Sequence, residues 1–190
     1  FHRLFKASND SLASQMRDQW QRDLPHDELL SDRWERARQL GFGEGTSVYH
    51  NCYVFGDVVV GENTWIGPFT MLDGTGGLSI GSYCSISAGT HVYTHDSVKW
   101  SLSGGKHSCE HASVRIGDCP YVGSQAVIAK NTVIGDHVVV GAGSFVNRDI
   151  PSHTVVAGSP ARVIGRVDMR NEEPELVFEK SDLKEEDILK

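Results

Sequence analysis

Between Thr94 and Val114 the chain reads HDSVKWSLSGGKHSCEHAS. This stretch holds three imidazoles, His95, His107 and His111, together with Trp100 and the Gly104-Gly105 pair. An imidazole with an ordinary pKa near ~6.5 takes a proton at neutral pH and gives it back, which suits general acid–base work. An indole offers a flat face to a pyranose or a nucleotide base. Each group also has a plainer reading: any one histidine can be a solvated or core ring, and Trp100 can be surface packing. Asp73, in the stretch MLDGTGG, is a further polar candidate. Its carboxylate can accept hydrogen bonds from sugar hydroxyls or an amine, or it can cap a turn.

What positions these residues is a register of six. Stepping from Val48 gives Val54, Val60, Ile66 and Leu72. Two extra residues intervene, Leu78 and Ser79, and the register resumes at Ile80, Ile86 and Val92. It breaks again after Thr94 and returns at Ile116, Val122, Ile128, Ile134, Val140 and Val146. Glycine often follows the aliphatic residue, as at 61, 67, 81, 117, 123, 135 and 141, and small residues such as Cys52, Thr64, Thr70, Cys84, Thr90, Ala126, Thr132 and Ser144 lie four places after it. Neither a helix, with period 3.6, nor a flat strand, with period 2, repeats in this way. A strand of about four residues and a corner of about two do, if successive coils lie in register and stack their aliphatic residues. Such coils bury nothing alone and must stack, so the period predicts a parallel β-solenoid. Both candidate regions fall where the register fails. Packing demands regular repeats, so a long departure from them points to function.

A solenoid needs its ends covered. PHDELLSDRWERARQLG predicts a helix opened by Pro25 and closed by Gly41, with Leu30, Trp34 and Ala37 on one face; Leu12, Met16 and Trp20 predict a helical stretch before it. After Val167 the charged run RNEEPELVFEKSDLKEEDILK predicts an acidic, partly helical tail. The expected organisation is a helical segment over 1–45, a solenoid over 46–166 interrupted by a loop at 95–113, and a tail over 167–190.

The net charge of −7 argues against a nucleic-acid binder, which needs a basic face, but allows a local basic pocket for a small anion. The four cysteines lack zinc-like spacing, as expected of reduced thiols in a cytoplasmic protein. No apolar run approaches the ~20 residues of a membrane span, and FHRLFKASND lacks the apolar core of a signal peptide.

The six-residue register resembles that of the left-handed β-helix hexapeptide-repeat acyltransferases, of the sugar O- and N-acetyltransferase type, over roughly residues 46–165. The resemblance implies triangular coils of three hexapeptides, left-handed winding, acetyl-CoA as co-substrate, a sugar or nucleotide-sugar acceptor, a role in polysaccharide biosynthesis, no metal, and a homotrimer with active sites between subunits. YTHD, at Tyr93–Asp96, resembles the family segment carrying the catalytic base, which implies that role for His95. YVGS resembles the segment whose serine N–H points at the thioester carbonyl, which implies Ser124; it can also be a turn residue. VVVGAGSFVNRDIPSHTVVAGSPARVIG resembles the last coils of the family. By that match Ala142 contacts the pantetheine arm, Asn147 and Arg148 stand near the nucleotide, and Arg162 near the phosphates. Asn147 replaces the usual threonine, and a second common basic position falls at Gly165, with Arg166 one step later. MLDGTGG resembles a segment near the sugar pocket, which implies that Asp73 meets the acceptor; Trp100 is the second acceptor candidate, by its ring alone.

Two other functions use the same fold. A γ-class carbonic anhydrase would hold zinc with three histidines, and His91, His95, His107 and His111 keep it open. A scaffold without catalysis is the third, although it has no need of an interrupted repeat.

Overall fold

The computed structural model describes residues 2–170 and 173–178. The register of six folds into a prism with three walls of parallel strands. In the first wall Ser47–Val48, Trp65–Ile66, Ser85–Ile86, Tyr121–Val122, Val139–Val140 and Thr154–Ala157 pair in that order. This stacks Val48, Ile66, Ile86, Val122, Val140 and Val156. The second wall stacks Val54, Leu72, Val92, Ile128 and Val146. The third stacks Val60, Ile80, Ile116, Ile134 and Ile150. Strands Tyr53–Val60 and Met71–Ile80 turn from the second wall into the third without ending. Apart from the half-buried Val54, every stacked aliphatic is buried.

The small residues do more than fill space. Thr46 donates its hydroxyl to Gly61 O, Thr64 to Gly81 O and Thr90 to Gly123 O; the Cys52 thiol points at Gly67 O. Each supplies a partner to a corner carbonyl, which lowers the cost of burying it; the buried Thr132 hydroxyl and Glu28 Oε2 are the exceptions among the described residues and have no partner. Burial pushes the thiol of Cys84 up to about 11, and that of Cys52 up as well. All four cysteines are free.

The glycines after the aliphatic residues serve closeness rather than turn conformation. A Cβ on Gly81 would lie 2.4 Å from Gly117 O, and one on Gly123 would lie 2.5 Å from Ala142 N. Left-handed backbone occurs elsewhere. Along one corner it is carried by Gly45, Asn63, Tyr83, Cys119, His137 and His153 in successive coils, where side chains bear the φ penalty.

The ends differ from the sequence expectation. The single helix expected from Pro25 to Gly41 is two: α2 (His26–Leu30) and α3 (Arg33–Gln39), preceded by α1 (His2–Trp20). Asp32 makes the break. Its carboxylate accepts from Trp34 N–H and Glu35 N–H and so starts a new helix. Of the expected apolar face only Ala37 is buried; Leu30 and Trp34 are exposed. Polar anchors tie this cap to the first coil: Glu28 Oε1 accepts from His50 N–H at 2.6 Å, and Arg36 donates to Tyr49 O and Cys52 O. At the other end Arg162–Asp168 runs antiparallel to Thr154–Ala157, and Glu175–Phe178 pairs with it in turn. The solenoid edge is therefore closed by one reversed strand, Arg162–Asp168, which crosses the expected boundary at 166, and by Glu175–Phe178 outside it; residues 175–178 are strand, not helix. The rest of the expected tail lies outside the described residues.

Candidate active site

The two failures of the register stack on one another. Ile66 to Ile86 spans twenty residues and Ile86 to Val122 thirty-six, yet both pairs are in register. The extra residues leave the prism at one corner, between the second and third walls, in adjacent coils. The shorter excursion carries Asp73, Gly74, Thr75 and Gly76; the longer one starts at Thr94 and returns at Val114.

Asp73 is buried beneath His95. Its Oδ1 accepts from the Thr75 N–H at 3.0 Å and the Thr75 hydroxyl at 2.7 Å. Its Oδ2 accepts from the Thr94 N–H at 2.9 Å and pairs with His95 Nδ1 at 2.6 Å. Burial alone would raise the Asp73 carboxyl, but the hydrogen bonds from Thr75, Thr94 and His95 outweigh it and hold the group well below the usual carboxylate range. An ionised carboxylate only accepts, so the short contact fixes the proton of His95 on Nδ1 and leaves a lone pair on Nε2. The imidazole is 40% exposed while its partner is 2% exposed, so the free nitrogen is on an accessible ring and the anchor is not. Thr94 ties the coils together: its hydroxyl donates to Asp73 O and accepts from Gly76 N–H, each at 2.8 Å.

The glycines of MLDGTGG follow from this closeness. A Cβ on Gly74 would lie 2.2 Å from Asp57 O, and one on Gly76 would lie 2.5 Å from Thr94 O. Gly74→Ala should therefore destabilise the protein by about 1–3 kcal/mol or more, read as a lowered melting temperature. An unchanged melting curve would show that the coils are not this close.

The longer excursion is ordered by a two-stranded ribbon. His95–Asp96 pairs antiparallel with Glu110–His111, which sets His95 opposite His111 and Asp96 opposite Glu110. The rings of His95 and His111 lie 5.6 Å apart at 23°. Trp100 sits in α4 (Val98–Leu102), half exposed, and its indole packs near Gly105. His107 is exposed and its N–H donates to Ser103 Oγ.

The other sequence candidates divide between places. Ser124 and Ala142 stack at the corner between the first and second walls, one coil apart, and Gly143 N–H donates to Ser124 O. Arg162 follows beyond Ala157 on the same end of the prism. Asn147 and Arg148 come after Val146, at the corner used by the excursions and two coils beyond His95. All five are exposed. Within one chain, then, His95 and Ser124 occupy different corners. Asp73 is buried and both its oxygens are occupied from within, which fits its reading as a turn cap rather than as a contact to an acceptor's hydroxyls. Sequence reasoning missed Thr75, Thr94 and Lys130. The i+20 offset from Thr75 to His95 becomes legible only once the coil length is known. Of the four histidines weighed for zinc, His95 and His111 come together while His91 pairs with the Tyr93 hydroxyl, and among the described residues no cluster of three or more His, Cys, Asp and Glu is placed to hold a metal ion.

Residues 113–148 match the family model for the bacterial transferase hexapeptide, six repeats. The chain is 31% identical over 134 residues to galactoside O-acetyltransferase of Escherichia coli (strain K12), covering 59% of this chain and 65% of that one. It is 27% identical over 138 residues to WbbJ of the same organism, provisionally named a lipopolysaccharide biosynthesis O-acetyl transferase, covering 66% and 70%. The chain thus spans less than two thirds of the length of the first of these relatives. Among solved structures it is similar to AntD, an N-acyltransferase from Bacillus cereus in complex with dTDP and 3-hydroxybutyryl-CoA. The TM-score is 0.59 and the identity 25%, over 66% of this chain and 71% of that one. Among the described residues no helix is long and apolar enough to cross a membrane.

Proposed function

From a left-handed parallel β-helix built on the transferase hexapeptide, we propose an acetyltransferase that moves the acetyl group of acetyl-CoA to a hydroxyl or amino group of a sugar or nucleotide-sugar acceptor. The observation that carries this reading is the Asp73–His95 pair, a half-exposed imidazole on a buried carboxylate at the one corner where both register breaks stack. His95 Nε2 takes the proton of the acceptor as its oxygen or nitrogen attacks the thioester carbonyl. The tetrahedral oxyanion forms against the Ser124 N–H. Its collapse breaks the carbon–sulfur bond, and the departing thiolate takes the proton from the imidazolium. Asp73 stays ionised throughout and steadies the cationic ring.

Acetyl-CoA lies along the corner of Ser124 and Ala142, with Arg162 of the same chain and the Asn147-Arg148 pair of the neighbouring chain, which shares the corner of His95, near its nucleotide and phosphates. Because that corner differs from the corner of His95, the thioester of one chain meets the imidazole of a neighbour, and the working form is a homotrimer with three such seams. Trp100 forms part of the acceptor wall. The name of WbbJ favours a setting in cell-surface polysaccharide synthesis, and the proposed compartment is the cytoplasm. The test is thiol release from acetyl-CoA with plain sugars, amino sugars and nucleotide sugars. Release that no acceptor stimulates would refute the proposal, and stoichiometric zinc with CO₂ hydration would replace it.

The donor contacts make a separate prediction. Arg148→Ala or Arg162→Ala should raise the KM for acetyl-CoA with little change in kcat, because a guanidinium on a phosphate binds ground and transition states alike. Steady-state kinetics at saturating acceptor separates the two; a fall in kcat alone would remove these arginines from the donor site.

A further inference from the structure

The ribbon that brings His111 against His95 contains an electrostatic conflict. Asp96 and Glu110 are direct cross-strand partners, and like charges in that position destabilise a strand pair. The conflict is resolved from the next coil. Lys130 Nζ lies 3.2 Å from Asp96 Oδ2 and 3.3 Å from Glu110 Oε2, so one ammonium bridges both carboxylates. Lys99 holds the other oxygen of Glu110 at 2.5 Å but does not reach across to Asp96 by any ion pair. Lys130 is the most enclosed member of the group, 24% exposed against 36% for Asp96 and 39% for Glu110. It stands just past the wall strand Val127–Ile128, two residues after Ile128 in the stacked register, so it reaches the ribbon from the neighbouring coil. The directions of ionisation agree. Val98 N–H and then Lys130 hold the Asp96 carboxyl below its ordinary range, and Asp96 first of all raises the ammonium of Lys130.

We propose that Lys130 is a positioning residue for the acetyl transfer: by neutralising the facing Asp96 and Glu110 it clamps the ribbon to the prism and sets His111 as the wall opposite the His95 ring. This rests on the transfer reading above. Lys130 touches neither donor nor acceptor and moves no proton. Its effect is on where the acceptor's nucleophile lies relative to His95, where a displacement of about 1 Å costs on the order of 10²-fold in rate.

The test compares the full-length wild-type protein with K130M, K130R and K130M/D96N. Asparagine at 96 still accepts from the Val98 N–H, whose present bond to Asp96 Oδ1 is 3.0 Å, and its amide can donate to Glu110 in place of the ammonium. In K130M the acceptor kcat/KM is expected to fall about 10- to 100-fold, with the acetyl-CoA KM and melting temperature nearly unchanged. K130R and K130M/D96N should recover most of the loss. Independently of turnover, the histidine-ring NMR contact between His95 and His111 should be present in wild type, lost in K130M and regained in K130M/D96N. Retention of that contact in K130M overturns the proposal. So does a loss of activity that tracks donor binding or melting and is not relieved by D96N. If the wild type transfers acetyl to nothing, the transfer reading fails, while the ring contact still decides what Lys130 does.

Discussion

His95→Ala is expected to remove acetyl transfer while leaving acetyl-CoA bound. A positioned general base contributes about 10²–10⁴-fold, and no other described group stands ready to replace it. His111 is stacked beside His95, but the ring held by a buried carboxylate is His95. The excursion is anchored by Thr94, by the Ala112 N–H to Thr94 O bond at 2.8 Å and by the Lys130 bridge, none of which uses the imidazole. The variant should therefore fold and melt much as wild type does. Thiol release and calorimetric titration with acetyl-CoA read the two halves separately. Full turnover in a folded variant would end the role of His95, and loss of donor binding with the turnover would show that His95 is part of the donor site.

Asp73→Asn should be nearly as severe for a different reason. The four hydrogen bonds at Asp73 all end on a pure acceptor. An asparagine has one acceptor atom and one donor atom, so neither orientation keeps all four bonds. If its NH₂ takes the place of Oδ2, it meets the Thr94 N–H donor to donor and can bond His95 only if Nδ1 becomes the acceptor. The proton then moves to Nε2 and the base is lost. If its NH₂ takes the place of Oδ1, it faces the Thr75 N–H and hydroxyl. A wrong tautomer in an analogous Asp–His arrangement costs about 10⁴ in kcat. A pH signature follows. A carboxyl whose folded pKa is depressed adds stability that is fully present above its unfolded value near 3.8 and is lost as pH falls from there through the folded value. The melting-temperature gap between wild type and Asp73→Asn should thus be constant near neutrality and narrow as pH falls below about 4. A gap that widens in acid would mean that Asp73 is not ionised in the fold.

The walls were legible in the sequence because their rule is one-dimensional: one aliphatic residue every six places, from Val48 to Val146. The rule fades where the final coil shortens, so Ile150 and Val156 went unread although both are buried in the stack. The site was legible as an anomaly and not as a geometry. That His95 lies in a break is visible in the letters. That Asp73 lies under it depends on how many residues complete a coil, and the two-residue slip at Leu78 alters that count. The letters therefore leave Asp73 open between an acceptor contact and a turn cap, and only the coil above it, with the Thr75 N–H on its Oδ1, decides for the second. The helical cap was misjudged at Asp32, where a capping side chain outcompeted a continuous apolar stripe.

The wall strands resume in register after the long excursion, with Ile86 beside Val122 and Ile80 beside Ile116, as though nothing had been inserted. The prism therefore works as a socket. Whatever is plugged in between Thr94 and Val114 returns the chain to its starting point, so its length and chemistry can be exchanged over generations at little cost to folding. Under the proposed transfer, the half that chooses what is modified can drift, while the half that carries the activated group stays bolted in place.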